Sequence, residues 1–207
     1  MATGSGTTYT YIILREIHNH GPDTFQHIFR QVFWARYVDW ALTTPLILLD
    51  LSFLAGLAGA DILVVVAADI IMILTSLFAA LASRRAAMWS WYAMACVAYL
   101  FIVYVLAMGG RRSASARGPA TSKLFVSIGL FTLVVWTLYP IVWGISGGAR
   151  KWSVDAEVVA YAVLDFAAKP VFGFWLLWAH ARDVAPLEGF WSRGLEGEGG
   201  VRLDDEA

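Results

Sequence analysis

The stretch WARYVDWALTTPLILLD, residues 34–50, is an apolar segment that carries charged side chains at regular intervals. Four polar residues recur at spacings of three, four and seven and share one helical face at about 100° per residue: Arg36, Asp39, Thr43 and Asp50. At 1.5 Å per residue, the two acids lie about 16 Å apart along the helix axis. Ionisable residues inside an apolar span are costly and suggest function. The two acids are either stations of a proton path or hydrogen-bonded groups that line a polar seam.

The composition of the whole chain is typical of a membrane protein. Of its 207 residues, 59% are hydrophobic and only 15% are charged, against about 25% charged in an ordinary soluble domain. Ten tryptophans and a mean hydropathy of +0.63 agree with this class. A disordered chain and a nucleic-acid binder with a basic face are excluded, so we expect no nucleic-acid partner. The single cysteine, Cys96, excludes a disulfide framework and a multi-cysteine metal site, and we expect no metal.

Five apolar stretches are each long enough to cross a hydrocarbon core of about 30 Å as a helix. They cover residues 32–57, 62–81, 88–108, 124–145 and 157–179. Backbone groups in lipid must be satisfied within the segment, so these stretches are helices rather than strands. The sequence therefore predicts a transmembrane bundle over 32–181 and a polar tail over 182–207. Lysine and arginine counts on the two sides do not decide the orientation.

Lys169 lies inside the last apolar stretch, four residues after Asp165 and on the same helical face. A buried lysine either finds an anion or loses its proton. The two residues form a plain ion pair, or Lys169 forms a Schiff base with a carbonyl ligand. In the fourth stretch Trp136, Tyr139 and Trp143 share a face, which indicates helix packing or a slot for a flat, elongated ligand. No catalytic triad, P-loop or dinucleotide motif is present, so we expect no enzyme.

Three motifs in the same order and spacing resemble microbial (type 1) rhodopsins, of the bacteriorhodopsin-like kind. Residues 36–50 are similar to the third helix of that family, and residues 136–143, WTLYPIVW, to the sixth. Residues 164–169, LDFAAK, are similar to the seventh helix, which bears the retinal lysine. The start of the chain and the histidine-rich stretch before Arg36 resemble the fungal branch.

The resemblance implies a role for each matching residue. Lys169 would bind all-trans retinal as a protonated Schiff base, with Asp39 as counter-ion and proton acceptor and Asp165 as second counter-ion. Asp50 would be the cytoplasmic proton donor. Arg36 and Thr43 would tune the acids, and Glu157 is a candidate for proton release. The remaining implied residues line the retinal pocket: Trp40, Thr44, Asp69, Met72, Trp136, Tyr139 and Trp143.

The chain also departs from the family pattern. The resemblance implies an all-α membrane protein whose five complete transmembrane helices correspond to helices three to seven of a seven-helix retinal-binding bundle. Residues 1–31 would then hold the end of the second helix and an extracellular loop. We expect a truncated gene product or fragment, because interior polar faces would otherwise meet lipid. Tyr92 stands where the family commonly has a tryptophan, and Gly147-Gly148 stand near the place of a second release acid.

The leading functional hypothesis is a light-driven outward proton pump, with protons as the transported ion. The alternatives are a sensory photoreceptor with a slow photocycle, a non-functional fragment, a retinal-free opsin-related stress protein and a channel. Lys169 argues against the retinal-free class, and Asp50 argues mildly against a sensor. The resemblance further implies a multi-pass protein of the plasma membrane with a cytoplasmic C-terminus. It is also compatible with a homo-oligomer.

Overall fold

The computed structural model describes residues 10–18 and 25–180. Within them a two-stranded sheet precedes a bundle of helices, and five helical segments are long and apolar enough to cross a membrane. The predicted class, a helical membrane protein with five spans, is confirmed. The helix end predicted at the start of the chain and the tail predicted at 182–207 lie outside the described residues.

A β-hairpin precedes the first span, where the sequence predicted only a helix end and a loop. Strand β1 (Thr10–His18) pairs antiparallel with β2 (Phe25–Val32), from Thr10 opposite Val32 to His18 opposite Phe25, with an irregularity between Ile13 and Arg15. Both strands are rich in β-branched and aromatic residues, which favour a pleated surface. The first helix consequently begins at Ala35 and not at residue 32. Val32 belongs to the strand because hydropathy alone does not separate an apolar strand end from a helix start.

The first two spans are single helices, α1 (Ala35–Ala55) and α2 (Gly59–Leu81). Helix α1 ends at Gly56, whose φ of 74° is the left-handed conformation that glycine adopts at helix C-termini. Helix α2 packs against both α1 and the third span.

The third span is longer than the sequence predicted. It consists of α3 (Arg85–Tyr104), a π-helical segment (Val105–Gly110) and α4 (Arg111–Arg117). The predicted stretch covers only residues 88–108, because hydropathy falls at Gly109-Gly110 and the arginines that follow them. The π-helical turn instead carries the helix through both glycines, and the chain breaks at Gly118.

The last two spans also contain π-helical segments. The fourth joins α5 (Pro119–Trp143) to Gly144–Gly148, and the fifth runs from α6 (Val154–Phe166) through Ala167–Val171 to α7 (Phe172–His180). Both begin earlier than predicted, at 119 rather than 124 and at 154 rather than 157. Pro119 occupies the first helical position, where its missing N–H costs nothing. The side chain of Ser153 accepts a hydrogen bond from the backbone N–H of Ala156 and caps α6.

The bundle buries a continuous core between its helices and presents apolar side chains outward. Leu48, Val65, Ile102 and Ile128 are fully buried. Large apolar side chains such as Leu63 and Phe174 are about three-quarters exposed (73% and 74%), which suits an outer surface in contact with lipid. The protein is therefore an integral, multi-pass membrane protein.

Candidate functional site

Lys169 lies in the bundle interior beside two carboxylates. Its backbone belongs to the π-helical segment of the fifth span, directly before Pro170, which has no N–H for the helical ladder. The Nζ atom of Lys169 donates a hydrogen bond to Oδ2 of Asp39 on α1 and lies 3.7 Å from Oδ1 of Asp165. The structure thus brings together the three charged residues that the sequence singled out from two different helices.

The two carboxylates have different surroundings. Asp165 accepts hydrogen bonds from Nε1 of Trp40 at 3.1 Å and from the hydroxyl of Tyr139 at 2.7 Å. Among the described residues, the carboxylate of Asp39 receives a hydrogen bond only from Lys169, and the Asp39 side chain is 48% exposed. Hydrogen bonds from fixed donors stabilise the charged form of a carboxylate. Asp165 is therefore the more strongly hydrogen-bonded carboxylate of the pair, and Asp39 is the less constrained one.

An apolar cavity extends from Lys169 between the spans. The rings of Trp40 and Tyr139 pack edge to face in its wall, with centroids 5.2 Å apart. Its lining includes six of the predicted residues: Trp40, Thr44, Met72, Trp136, Tyr139 and Trp143. A lysine amine at one end of an aromatic slot suits an elongated apolar ligand with a carbonyl at its tip. The residues present therefore fit the retinal that the resemblance implies.

Asp69, predicted as a pocket residue, connects α2 to α1 behind the cavity wall. It is fully buried, and its Oδ2 accepts a hydrogen bond of 2.7 Å from the hydroxyl of Thr44. The same hydroxyl lies 2.8 Å from the backbone oxygen of Trp40. The hydrogen bond between Thr44 and Asp69 fixes the rotamer of Thr44 and connects α1 to α2 beside the cavity.

The third span contributes a wall that sequence reasoning largely missed. Tyr92, Ala95, Cys96 and Tyr99 line the cavity, and their spacing of three, one and three places them on one helical face. The ring of Tyr92 stacks on Trp143, with centroids 4.9 Å apart and planes 12° apart. Its hydroxyl donates to the backbone oxygen of Pro140 at 3.0 Å. The helical spacing of these four residues was visible in the sequence. The apolar stretch around them contains no charged residue, so nothing indicated which face of the helix is turned to the cavity.

A second charged cluster lies at the hairpin end of the bundle. Arg36 donates to Oε1 of Glu157 at 3.1 Å, and Arg30 of β2 donates to Oε2 at 2.6 Å. The guanidinium of Arg36 also lies 4.1 Å from the ring centroid of Tyr161. Arg36, predicted to tune the acids near Lys169, therefore forms its ion pair with Glu157.

Two predicted residues lie outside the Lys169 cluster. The hydroxyl of Thr43 donates to the backbone oxygen of Asp39 at 2.8 Å and not to its carboxylate. Asp50 lies three helical turns further along α1 and is exposed. The structure therefore keeps Asp50 apart from the acid pair, near the opposite end of α1 from the hairpin.

Comparisons with known proteins agree with this geometry. A family model described as "Bacteriorhodopsin-like protein" matches residues 1–183. Opsin-1 of Neurospora crassa is 49% identical over 211 residues, which cover 100% of this chain and 69% of that protein.

Two similar solved structures differ in the ion with which each is described. One is a light-driven proton pump from Leptosphaeria maculans, with a TM-score of 0.79 and 49% identity, covering 86% of this chain and 74% of that one. The other is the bromide-bound halorhodopsin from Halobacterium salinarum, with a TM-score of 0.75 and 34% identity, covering 84% and 71%. The chain thus spans about seven tenths of the length of each of these relatives.

Proposed function

This chain belongs to the bacteriorhodopsin-like family, and from that premise we propose that it is a light-driven outward proton pump. Proteins of this family bind retinal and act as ion pumps or photoreceptors rather than as classical enzymes. The observation that carries the proposal is the position of Nζ of Lys169, which contacts Asp39 and Asp165 at one end of an aromatic cavity. We propose all-trans retinal as the ligand and Lys169 as its attachment site.

The unequal hydrogen bonding of the two acids supports a direction for the first proton transfer. When bound, retinal supplies a light-driven isomerisation that changes the position and the proton affinity of Nζ. The proton on Nζ then passes to Asp39, because Trp40 and Tyr139 already hold Asp165 as an anion. Arg36, one helical turn before Asp39 on α1, contributes positive charge at the hairpin side of the acid pair.

The replacement proton comes from the other end of α1. Asp50 lies about 16 Å beyond Asp39 at 1.5 Å per residue, too far for direct transfer, so a switch in access must separate the two steps. We propose that Asp50 faces the cytoplasm, together with the C-terminus, and that the hairpin faces the outside of the plasma membrane. Net transport then runs from Asp50 through Nζ to Asp39 and out.

The carboxylate at Nζ favours protons over halide as the transported ion. The similar halorhodopsin structure is described as bromide-bound, so the fold by itself accommodates anions. In this chain Oδ2 of Asp39 occupies the place beside Nζ that a small anion would need. A fixed carboxylate there accepts a proton and repels a second anion.

The proposal is tested by adding all-trans retinal to membranes that contain the chain and recording visible absorption and flash-induced transients. We expect a band that Lys169→Ala abolishes. We also expect recovery of the ground state to slow at least tenfold in Asp50→Asn, because the internal donor is lost. Asp61→Asn, an exposed acid at the start of α2, is the matched control and leaves recovery unchanged. A band with a slow native cycle that Asp50→Asn does not alter would favour a sensory photoreceptor instead.

A further inference from the structure

Glu157 is bound by two arginines from two different elements. Arg30 reaches it from β2 across 127 positions of sequence, and Arg36 reaches it from the first turn of α1. All three side chains are largely shielded, with 12%, 12% and 15% of their surface exposed. The pair between Arg30 and Glu157 therefore joins the hairpin to the fifth span.

Each carboxylate oxygen of Glu157 has its own guanidinium donor. Arg30 uses Oε2 and Arg36 uses Oε1, and charge-assisted hydrogen bonds of this kind favour the ionised acid. An acid that stores a proton for release instead shares it with a second acid or with water. The fourth span contributes Gly147 to the same small cavity, and this residue has no side chain with which to share a proton.

The other groups that face Glu157 are cationic or phenolic. Arg150, from the connection before α6, lines the same cavity, as does Tyr37 of α1, and Tyr161 lies one turn along on α6 itself. Burial and the neighbouring charges of Arg30 and Arg85 lower the pKa of Arg150. Among the described residues that line this cavity, Glu157 is the only carboxylate, so the surroundings favour its negative charge.

The residues that form ion pairs in the two clusters carry equal positive and negative charge without an extra proton. Lys169, Arg30 and Arg36 supply three positive charges, and three acids supply three negative ones: Asp39, Asp165 and Glu157. A proton stored on Glu157 would remove the negative charge between Arg30 and Arg36, whose side chains are only 12% exposed, and would leave these two guanidinium groups without the acid that both bind. The positive charge of Arg30 thus neutralises Glu157, so the acid needs no bound proton.

We propose that Arg30 holds Glu157 as a permanent anion, so that Glu157 anchors the hairpin and does not release a proton during the light cycle. This inference rests on the proposed pump function for its kinetic consequence. The first proton to reach the outer medium then comes from Asp39, after Asp50 has resupplied Nζ. Proton uptake from the cytoplasmic side therefore precedes proton release to the outside. The family resemblance implies that Glu157 releases a proton, but here Glu157 is a positioning residue.

The static part of the proposal is tested in the dark by infrared spectroscopy of the retinal-loaded chain. Spectra are recorded as the pH is lowered from 8. Subtracting the spectrum of Glu157→Gln from that of the native protein isolates the bands of Glu157. We expect only carboxylate absorption from Glu157 at pH 7, because both of its oxygens accept charge-assisted hydrogen bonds. In Arg30→Gln the cluster has one cation fewer, so at the same acidic pH the protonated fraction of Glu157 should be about tenfold larger than in the native protein.

Two variants separate the contact from general charge and from misfolding. Arg30→Lys keeps the cation and should titrate like the native chain. Arg85→Gln removes an exposed positive charge at the same end of the bundle that makes no hydrogen bond to Glu157, and it should also behave like the native chain. A protonated Glu157 in the native dark state at pH 7 would overturn the proposal.

The kinetic part uses a pH-indicating dye and a single flash. We expect uptake before release in the native chain, and an early release phase in Arg30→Gln at a pH where Glu157 is protonated. That phase should vanish when Glu157→Gln is added. Early release in the native chain that Glu157→Gln abolishes would contradict the proposal. No light-induced pH change, together with the expected infrared titration, would reject the pump while leaving Glu157 as a fixed anion.

Discussion

Gly148 packs behind the aromatic wall of the cavity, and Gly148→Ala should disturb the packing of that wall. A Cβ at this position would lie 2.7 Å from Cη2 of Trp89 and 3.4 Å from Cζ3 of Trp143. Carbon atoms in ordinary contact are about 3.5 Å apart or more, so the Trp89 ring must move by about 0.8 Å. Trp89 packs edge-on against Tyr92 at a centroid distance of 5.4 Å, and Tyr92 stacks on Trp143. The displacement therefore reaches the rings that line the cavity.

Overpacking of this size costs about 1–3 kcal/mol. For a chain of this length each kcal/mol lowers the melting temperature by about 2–4 °C. We expect Gly148→Ala to lower the melting temperature accordingly and to shift the absorption band formed with all-trans retinal. Circular dichroism during heating and a visible spectrum measure the two effects.

Gly129→Ala is the matched control, because a Cβ at Gly129 meets no atom within 4 Å. It should leave the spectrum unchanged and leave stability equal or slightly higher, since alanine favours a helix by up to about 1 kcal/mol over glycine. Trp89→Phe removes the ring that the new Cβ would strike and should restore most of the loss in the double variant. Equal melting temperatures and spectra for Gly148→Ala and Gly129→Ala would refute the reasoning.

Three further substitutions test individual hydrogen bonds. Arg117→Met removes hydrogen bonds to carbonyl groups at the end of α1. It should lower the unfolding free energy, measured by denaturant titration, by about 1–3 kcal/mol, whereas the control Arg112→Met should leave that free energy unchanged. Thr44→Val leaves buried Asp69 without the donor described here and should cost about 2–3 kcal/mol, while Thr44→Ser should recover most of it; equal losses for both would count against the bond. Tyr92→Phe removes the hydrogen bond to the backbone of α5 but keeps the stacked ring, so we expect a loss near 1 kcal/mol with retinal binding retained, and loss of the absorption band would contradict this.

The central charged site was predictable from the sequence because charged residues are rare within apolar helices. Lys169 and Asp165 are costly inside an apolar helix, and their spacing by one helical turn is visible directly. The contact of Lys169 with Asp39 joins residues 130 positions apart. Only the resemblance between motifs predicted it, because periodicity within one helix says nothing about which helices become neighbours.

The hairpin and the helix ends were harder to predict for a different reason. A window of apolar residues reads the same whether it forms a strand end or a helix start, so the place of Val32 in β2 was missed. Gly109-Gly110 normally signals a helix end, yet a π-helical segment carries the third span through it. Arg30 carried no signal because a surface arginine near a span boundary is common. Its contact with Glu157 depends on the three-dimensional position of the hairpin.

The most direct test of the proton pump is the light-induced pH change outside liposomes that contain the retinal-loaded chain in a known orientation. We expect acidification on the side of the hairpin, collapse of the signal by a protonophore, and its loss in Asp39→Asn. Asp61→Asn should pump like the native chain. A native chain that binds retinal through Lys169 but produces no pH change, or an Asp39→Asn variant that acidifies as well as the native chain, would contradict the assignment of Asp39 as the proton acceptor of a pump.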